Sequence, residues 1–317
     1  MTKGFASQAD LTDKVVTFQE LVSGRAYAYT AEGDPNTGIV ITDSGVVVID
    51  TQATPLMAQD VIARIRAATD RPVTHIVLTH YHAVRVLGAS AYGAHTIIAS
   101  EPTFDLIRER GEADRASEIG RFPRLFRGAE SIPGLTWPNV IFRDYLELNL
   151  GGVEMQLMRL GAGHTRGDTV VWLPGHRVLF SGDLVEYGAT PYAGDAHLRE
   201  WPGTLDRLAA LEPKALVPGR GDALLGASES QAAIAGTRRF VTDLYETVQG
   251  GVKQGKPLDR VYRETVDRLR PSYGQWVIFD HCMPFDVSRA FDEAGGIDRP
   301  RIWTAERDRE MWAALES

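Results

Sequence analysis

The stretch that most constrains this chain is Ile76-Val77-Leu78-Thr79-His80-Tyr81-His82. Its apolar run suits a buried strand over Ile76 to Leu78, and a polar His-x-His begins where that strand should stop. On extended backbone, side chains at i and i+2 face the same way, so the imidazoles of His80 and His82 can reach one ion. Tyr81, between them, faces the opposite way and is expected in the core. A buried strand that ends at an ion calls for sheets covered by helices, with the site at the strand ends.

The flanking sequence supplies those layers. Val15 to Leu21, Arg25 to Thr30, Gly38 to Thr42 and Gly45 to Asp50 read as strands, with turn residues between them. Pro55 to Ala68 carries apolar residues at helical spacing and is closed by Asp70-Arg71-Pro72. Thr96 to Ala99 predicts the next strand. Between Glu101 and Pro138, residues Glu109, Arg110, Glu112, Asp114, Arg115 and Glu118 predict an exposed helix, broken by Phe122-Pro123-Arg124-Leu125-Phe126. Strands resume at Val140 to Phe142, Tyr145 to Leu150 and Val153 to Leu160. After Gly226 the pattern is helical, and the tail from Tyr273 holds Trp276, Phe279, Phe285, Phe291, Trp303 and Trp312. Such aromatic density needs burial, against the sandwich or against a second copy, so a homodimer through this extension is one expected assembly.

Five ordered fragments resemble the metallo-β-lactamase superfamily. The first is the strand pair ending at Asp50. The second is Thr79-His80-x-His82 with Gly88, where the family has Thr-His-x-His-x-Asp-His-x-x-Gly. Gly163-His164-Thr165, Gly182-Asp183 and Pro218-Gly219-Arg220-Gly221 follow. The resemblance implies a four-layer αββα sandwich forming one domain over 1–317. Its core would run over about 15–225, with a helical, aromatic-rich extension over about 226–317. It also implies that His80, His82, His164 and Asp183 ligate a metal, that Asp50 orients a ligand histidine, and that the segment over 101–138 covers the site as a lid.

The departures from the family pattern sort by site. All residues of the first metal site are present, whereas the private ligands of the second are replaced by Val84, Arg85 and Arg220. One metal per chain is therefore expected. Three imidazoles and a carboxylate suit zinc, and iron(II) fits the same cage. The two arginines restore positive charge that a second ion would supply. They are expected either to bind an anionic substrate group or to plug the vacated space, Arg85 on Asp183 or another acid and Arg220 on Asp222. His281, in the aromatic tail, is a candidate proton shuttle if that segment folds over the site. His75 is expected to be packed, and His95, His176 and His197 to be exposed. Cys282 reads as a small buried hydrophobe.

Composition narrows the partners. A net charge of −8 with no long basic run argues against nucleic acid and anionic membrane surfaces. No stretch of about 18 apolar residues is present to span a bilayer. A single cysteine and an N-terminus without an apolar core fit a cytoplasmic protein. The resemblance implies a hydrolase that uses a metal-activated water on an ester, lactone, thioester or amide of a small, anionic substrate. An iron dioxygenase of the persulfide type and a non-catalytic ligand-binding member are the alternatives.

Overall fold

Short apolar runs bounded by turn residues become strands through the first two-thirds of the chain. The computed structural model describes residues 15–31 and 33–316. The N-terminal residues Met1–Asp10, read above for a leader, lie outside the described residues. One sheet takes β1 (Val16–Val22), β2 (Ala26–Ala31), β3 (Thr37–Thr42), β4 (Gly45–Ile49), β5 (Val73–Val77), β6 (Thr96–Ser100) and β7 (Val140–Phe142) in sequence order. Its first four strands pair antiparallel; the rest are parallel. A second sheet is built from β8 (Tyr145–Leu150), β9 (Val153–Met158), β10 (Val170–Leu173), β11 (Val178–Gly182) and β12 (Ala215–Pro218), with β8 and β12 at its edges.

Helices cover both outer faces. The helices α1 (Pro55–Ala68), α2 (Ala83–Val86) and α3 (Glu101–Arg121) lie on the first sheet. On the second lie α4 (Trp201–Ala209), α5 (Ala227–Lys253), α6 (Leu258–Tyr273) and α7 (Phe279–Ala294), with α8 (Ala305–Glu316) completing the chain. The layering is written in β4, where Val46 and Val48 pack under α1 while Val47 and Ile49 meet the second sheet. Side chains alternate with period two, so a strand covered on both faces reads as an unbroken apolar run. At the start of α1, the Thr54 hydroxyl accepts from the Met57 N–H at 3.1 Å and Pro55 occupies the first turn. The fold is the expected αββα sandwich with a helical C-terminal extension.

Three expectations need correction. β5 ends at Val77, so His80 and His82 sit on a loop rather than on the strand. The helix over 101–121 is not simply an exposed one: Arg110, Asp114 and Glu118 are buried on its inner face, because each finds a polar partner near the histidines. His197 is half-buried beside a cavity rather than exposed. Burial of the aromatic tail is supplied within one chain, where Phe279, Phe285 and Trp303 are at most 3 % exposed. Among the described residues, no helix is long and apolar enough to cross a membrane.

Candidate metal centre

Two loops deliver the three histidines. His80 and His82 lie on the loop between β5 and α2, and His164 lies on the loop between β9 and β10. Their ligand-capable nitrogens all fall within 4.8 Å of one another, and all three residues are buried. His164 is fixed by its own turn, since the Asp168 carboxylate accepts from the Thr165 N–H and, at 2.7 Å, from the Thr165 hydroxyl.

The outward nitrogen of each ring is committed. The Nδ1 of His80 lies 2.9 Å from the Thr79 hydroxyl, which itself donates to Asp50 at 2.8 Å. The Nε2 of His82 lies 3.2 Å from Asp195, and the Nδ1 of His164 lies 2.8 Å from the Tyr192 carbonyl oxygen. A carbonyl and a carboxylate only accept, and the Thr79 proton is already given to Asp50, so each outward nitrogen carries the N–H. The lone pairs of His80 Nε2, His82 Nδ1 and His164 Nε2 therefore face inward.

The inward side gathers acceptors. Among the described residues, His80 Nε2 is buried with no hydrogen-bond partner. His82 Nδ1 and His164 Nε2 stand 2.9 Å apart, where two lone pairs repel unless a proton or a metal ion lies between them. Outward N–H groups held by a carboxylate, a carbonyl and a hydroxyl are what metal-ligating imidazoles require. The residues present thus fit a divalent cation.

Charge follows burial. Desolvation drives His80 well below the ordinary imidazole value and His164 down to about 3. Burial also opposes charge on His82, but its Asp195 bond, with Asp114 and Glu118 nearby, raises it overall. Asp183 is buried too, and burial alone would raise it; Arg85 and Arg220 hold it well below the usual carboxylate range.

Each sequence candidate can now be placed. Asp183 Oδ2 lies 3.6 Å from the Nε2 atoms of both His80 and His164, facing the cluster. Its other oxygen accepts from Arg85 Nη2, and Oδ2 also accepts from Arg220 at 3.2 Å. Arg85 also donates from Nη1 to the Asn36 carbonyl and from Nη2 to the Gly219 carbonyl, and is 1 % exposed. The second partner of Arg220 is Glu186 at 2.9 Å, not Asp222, which is exposed. Val84 is buried in the core. Asp50 reaches His80 through Thr79 rather than directly.

His281 folds inward but is not among the imidazoles gathered at the centre; its ring packs 3.7 Å from that of Phe122. Tyr81 joins the core, His75 is half-buried against the Thr74 hydroxyl, and His95 and His176 are exposed. Cys282 is buried. The sequence reading missed Asp195, Asp114 and Glu118. No local pattern marks Asp195, in the loop Gly194-Asp195-Ala196. The other two carried a signal in their four-residue spacing with Arg110.

Two packed sheets with a three-histidine cluster at the strand ends define a metal-binding αββα sandwich. The chain belongs to the metallo-beta-lactamase superfamily, whose family description matches residues 30–220. It is 28 % identical over 224 residues to a metallo-beta-lactamase type 2 of Bacteroides fragilis, covering 68 % of this chain and 79 % of that one. A linear primary-alkylsulfatase of a Pseudomonas species is 22 % identical over 68 % of this chain, which spans only 47 % of the relative's length. Among solved structures, a stereoselective inverting sec-alkylsulfatase from Pseudomonas sp. superposes with a TM-score of 0.69 at 17 % identity. That match covers 88 % of this chain and 50 % of the other, so the shared fold runs beyond the family segment into the helical extension.

Proposed function

We propose that this protein is a metal-dependent hydrolase of a small anionic substrate, working with one divalent cation per chain. The observation that carries the reading is the buried triad, with three inward lone pairs and three outward N–H groups already bound. Neutral imidazoles near a carboxylate suit zinc, and iron(II) can occupy the same donors. When bound, the cation supplies Lewis acidity and lowers the pKa of a coordinated water to about 7.

The chain's own residues supply the rest. Asp195, the Tyr192 carbonyl and the Asp50–Thr79 pair keep the three rings oriented and in the tautomer that leaves the inner nitrogens free. Arg85 and Arg220 occupy the positions of a second ion's private ligands and keep Asp183 ionised, which supports a single-ion centre. The hydrogen bonds of Arg85 commit both of its terminal nitrogens, so we assign it the role of a fixed cation. Those of Arg220 both leave from Nη1, so we assign contact with a substrate anion to Arg220.

Esters, lactones, thioesters and amides are the substrate classes proposed, and the likeness to alkylsulfatases adds sulfate esters. Rates on p-nitrophenyl acetate, p-nitrophenyl sulfate, a simple lactone and a chromogenic β-lactam test this. Turnover of at least one, abolished by a chelator and restored by zinc, supports hydrolysis. Metal-loaded protein that turns over none of them refutes it.

A further inference from the structure

We propose that Asp114 and Glu118 of α3 are positioning residues for the metal centre, fastening the loop that carries His82. The proposal rests on the three-histidine site described above. Asp114 Oδ2 accepts from the Ala83 N–H at 2.7 Å, and Glu118 Oε2 accepts from the Val84 N–H at 2.9 Å. These amides directly follow His82 and open α2, a helix of a single turn. Such a helix leaves its first N–H groups unsatisfied, and here carboxylates about 30 residues further along the chain satisfy them.

One turn earlier on the same face, Arg110 Nη1 donates to Asp195 Oδ1 at 3.1 Å, and the other oxygen of Asp195 faces His82 Nε2. Residues 110, 114 and 118 thus grip the ligand from three points: the ring's outward nitrogen through Asp195, and the two peptide groups behind it. The carboxylates are 4 % and 3 % exposed. Two acids buried on successive turns repel and lose their hydration, so they oppose folding unless their oxygens are used. Their use is the loop. Helix α3 is anchored behind them, with Ser117 donating to Asp308 of α8 at 2.5 Å and Arg121 donating to the Tyr192 hydroxyl at 2.9 Å.

The test is cobalt(II) binding, read by chelator competition and by the visible absorption of the bound ion. The proteins compared are wild type, Asp114→Ala, Glu118→Ala, the double alanine variant, the double variant Asp114→Asn with Glu118→Gln, and Glu112→Ala on the exposed face. Loss of a group that orients a ligand typically costs 10- to 100-fold in metal affinity. The alanine variants should weaken cobalt binding by about that factor and shift the absorption bands. The amide pair, which keeps the acceptor oxygens, should restore both, and Glu112→Ala should match wild type. Circular dichroism confirms folding, and either single alanine variant serves if the double one does not fold. Folded alanine variants with wild-type affinity and spectrum overturn the brace alone. Wild-type protein that binds no cobalt overturns the centre and this proposal together.

Discussion

Asp195 accepts a hydrogen bond from Nε2 of His82 at 3.2 Å, across 113 residues of sequence. The contact fixes which nitrogen of His82 faces the centre. His80 presents Nε2 and His82 presents Nδ1, although they are two residues apart, because the strand ends before either of them. Asp195→Ala removes the acceptor and should weaken zinc binding by 10- to 100-fold, with Asp195→Asn losing less because its amide oxygen still accepts. Chelator competition measures it; unchanged affinity in the alanine variant would remove Asp195 from the account.

Asp183 is held between two guanidinium groups in a buried site. Arg85→Met should destabilise the fold by about 3–5 kcal/mol, since removing one partner leaves a buried carboxylate under-compensated. Urea denaturation at neutral pH checks this. A loss below 1 kcal/mol would mean that Arg220 alone suffices.

Gly88 follows α2, and its amide donates to the Gln52 carbonyl at 3.0 Å. A methyl group there would overlap the Thr51 carbonyl oxygen, a backbone atom that cannot swing aside. Gly88→Ala should cost about 3 kcal/mol, near the upper end of ordinary substitutions, and loosen the loop between the histidines and β4. The unfolding midpoint reports the first effect and metal affinity the second.

Burial pushes Asp168 up to about 7, against about 3.9 for an exposed aspartate. Between those values the native chain holds more of this proton than the unfolded chain, so this group's contribution to stability falls as pH rises from about 4 to about 7. In metal-free protein, Asp168→Asn should therefore gain on wild type as pH is raised from 5 to 8. Urea midpoints at the two values test it, and a constant difference contradicts it.

How much of this was legible in the sequence depended on whether a residue sat beside a local signal. The three histidines and Asp183 each lie where a strand pattern breaks into a polar motif, and the sandwich follows from strands such as β4 that are apolar on both faces. Arg110, Asp114 and Glu118 were hidden because apolar periodicity marks a helix's buried face, and α3 buries charges on part of its own. Their i, i+4, i+8 spacing was the only trace, interleaved with the outward-facing Glu112 and Arg115. The partner of Arg220 could not be read either, because Asp222 lies two residues away and Glu186 lies 34 residues away, and only the fold brings the distant one into reach.

The proposed function requires that the triad hold one cation per chain. Elemental analysis of purified protein beside a His164→Ala variant tests it most directly. The expected result is about one zinc or iron per wild-type chain and essentially none in the folded variant. Two metals per chain, or metal retained without His164, would contradict it.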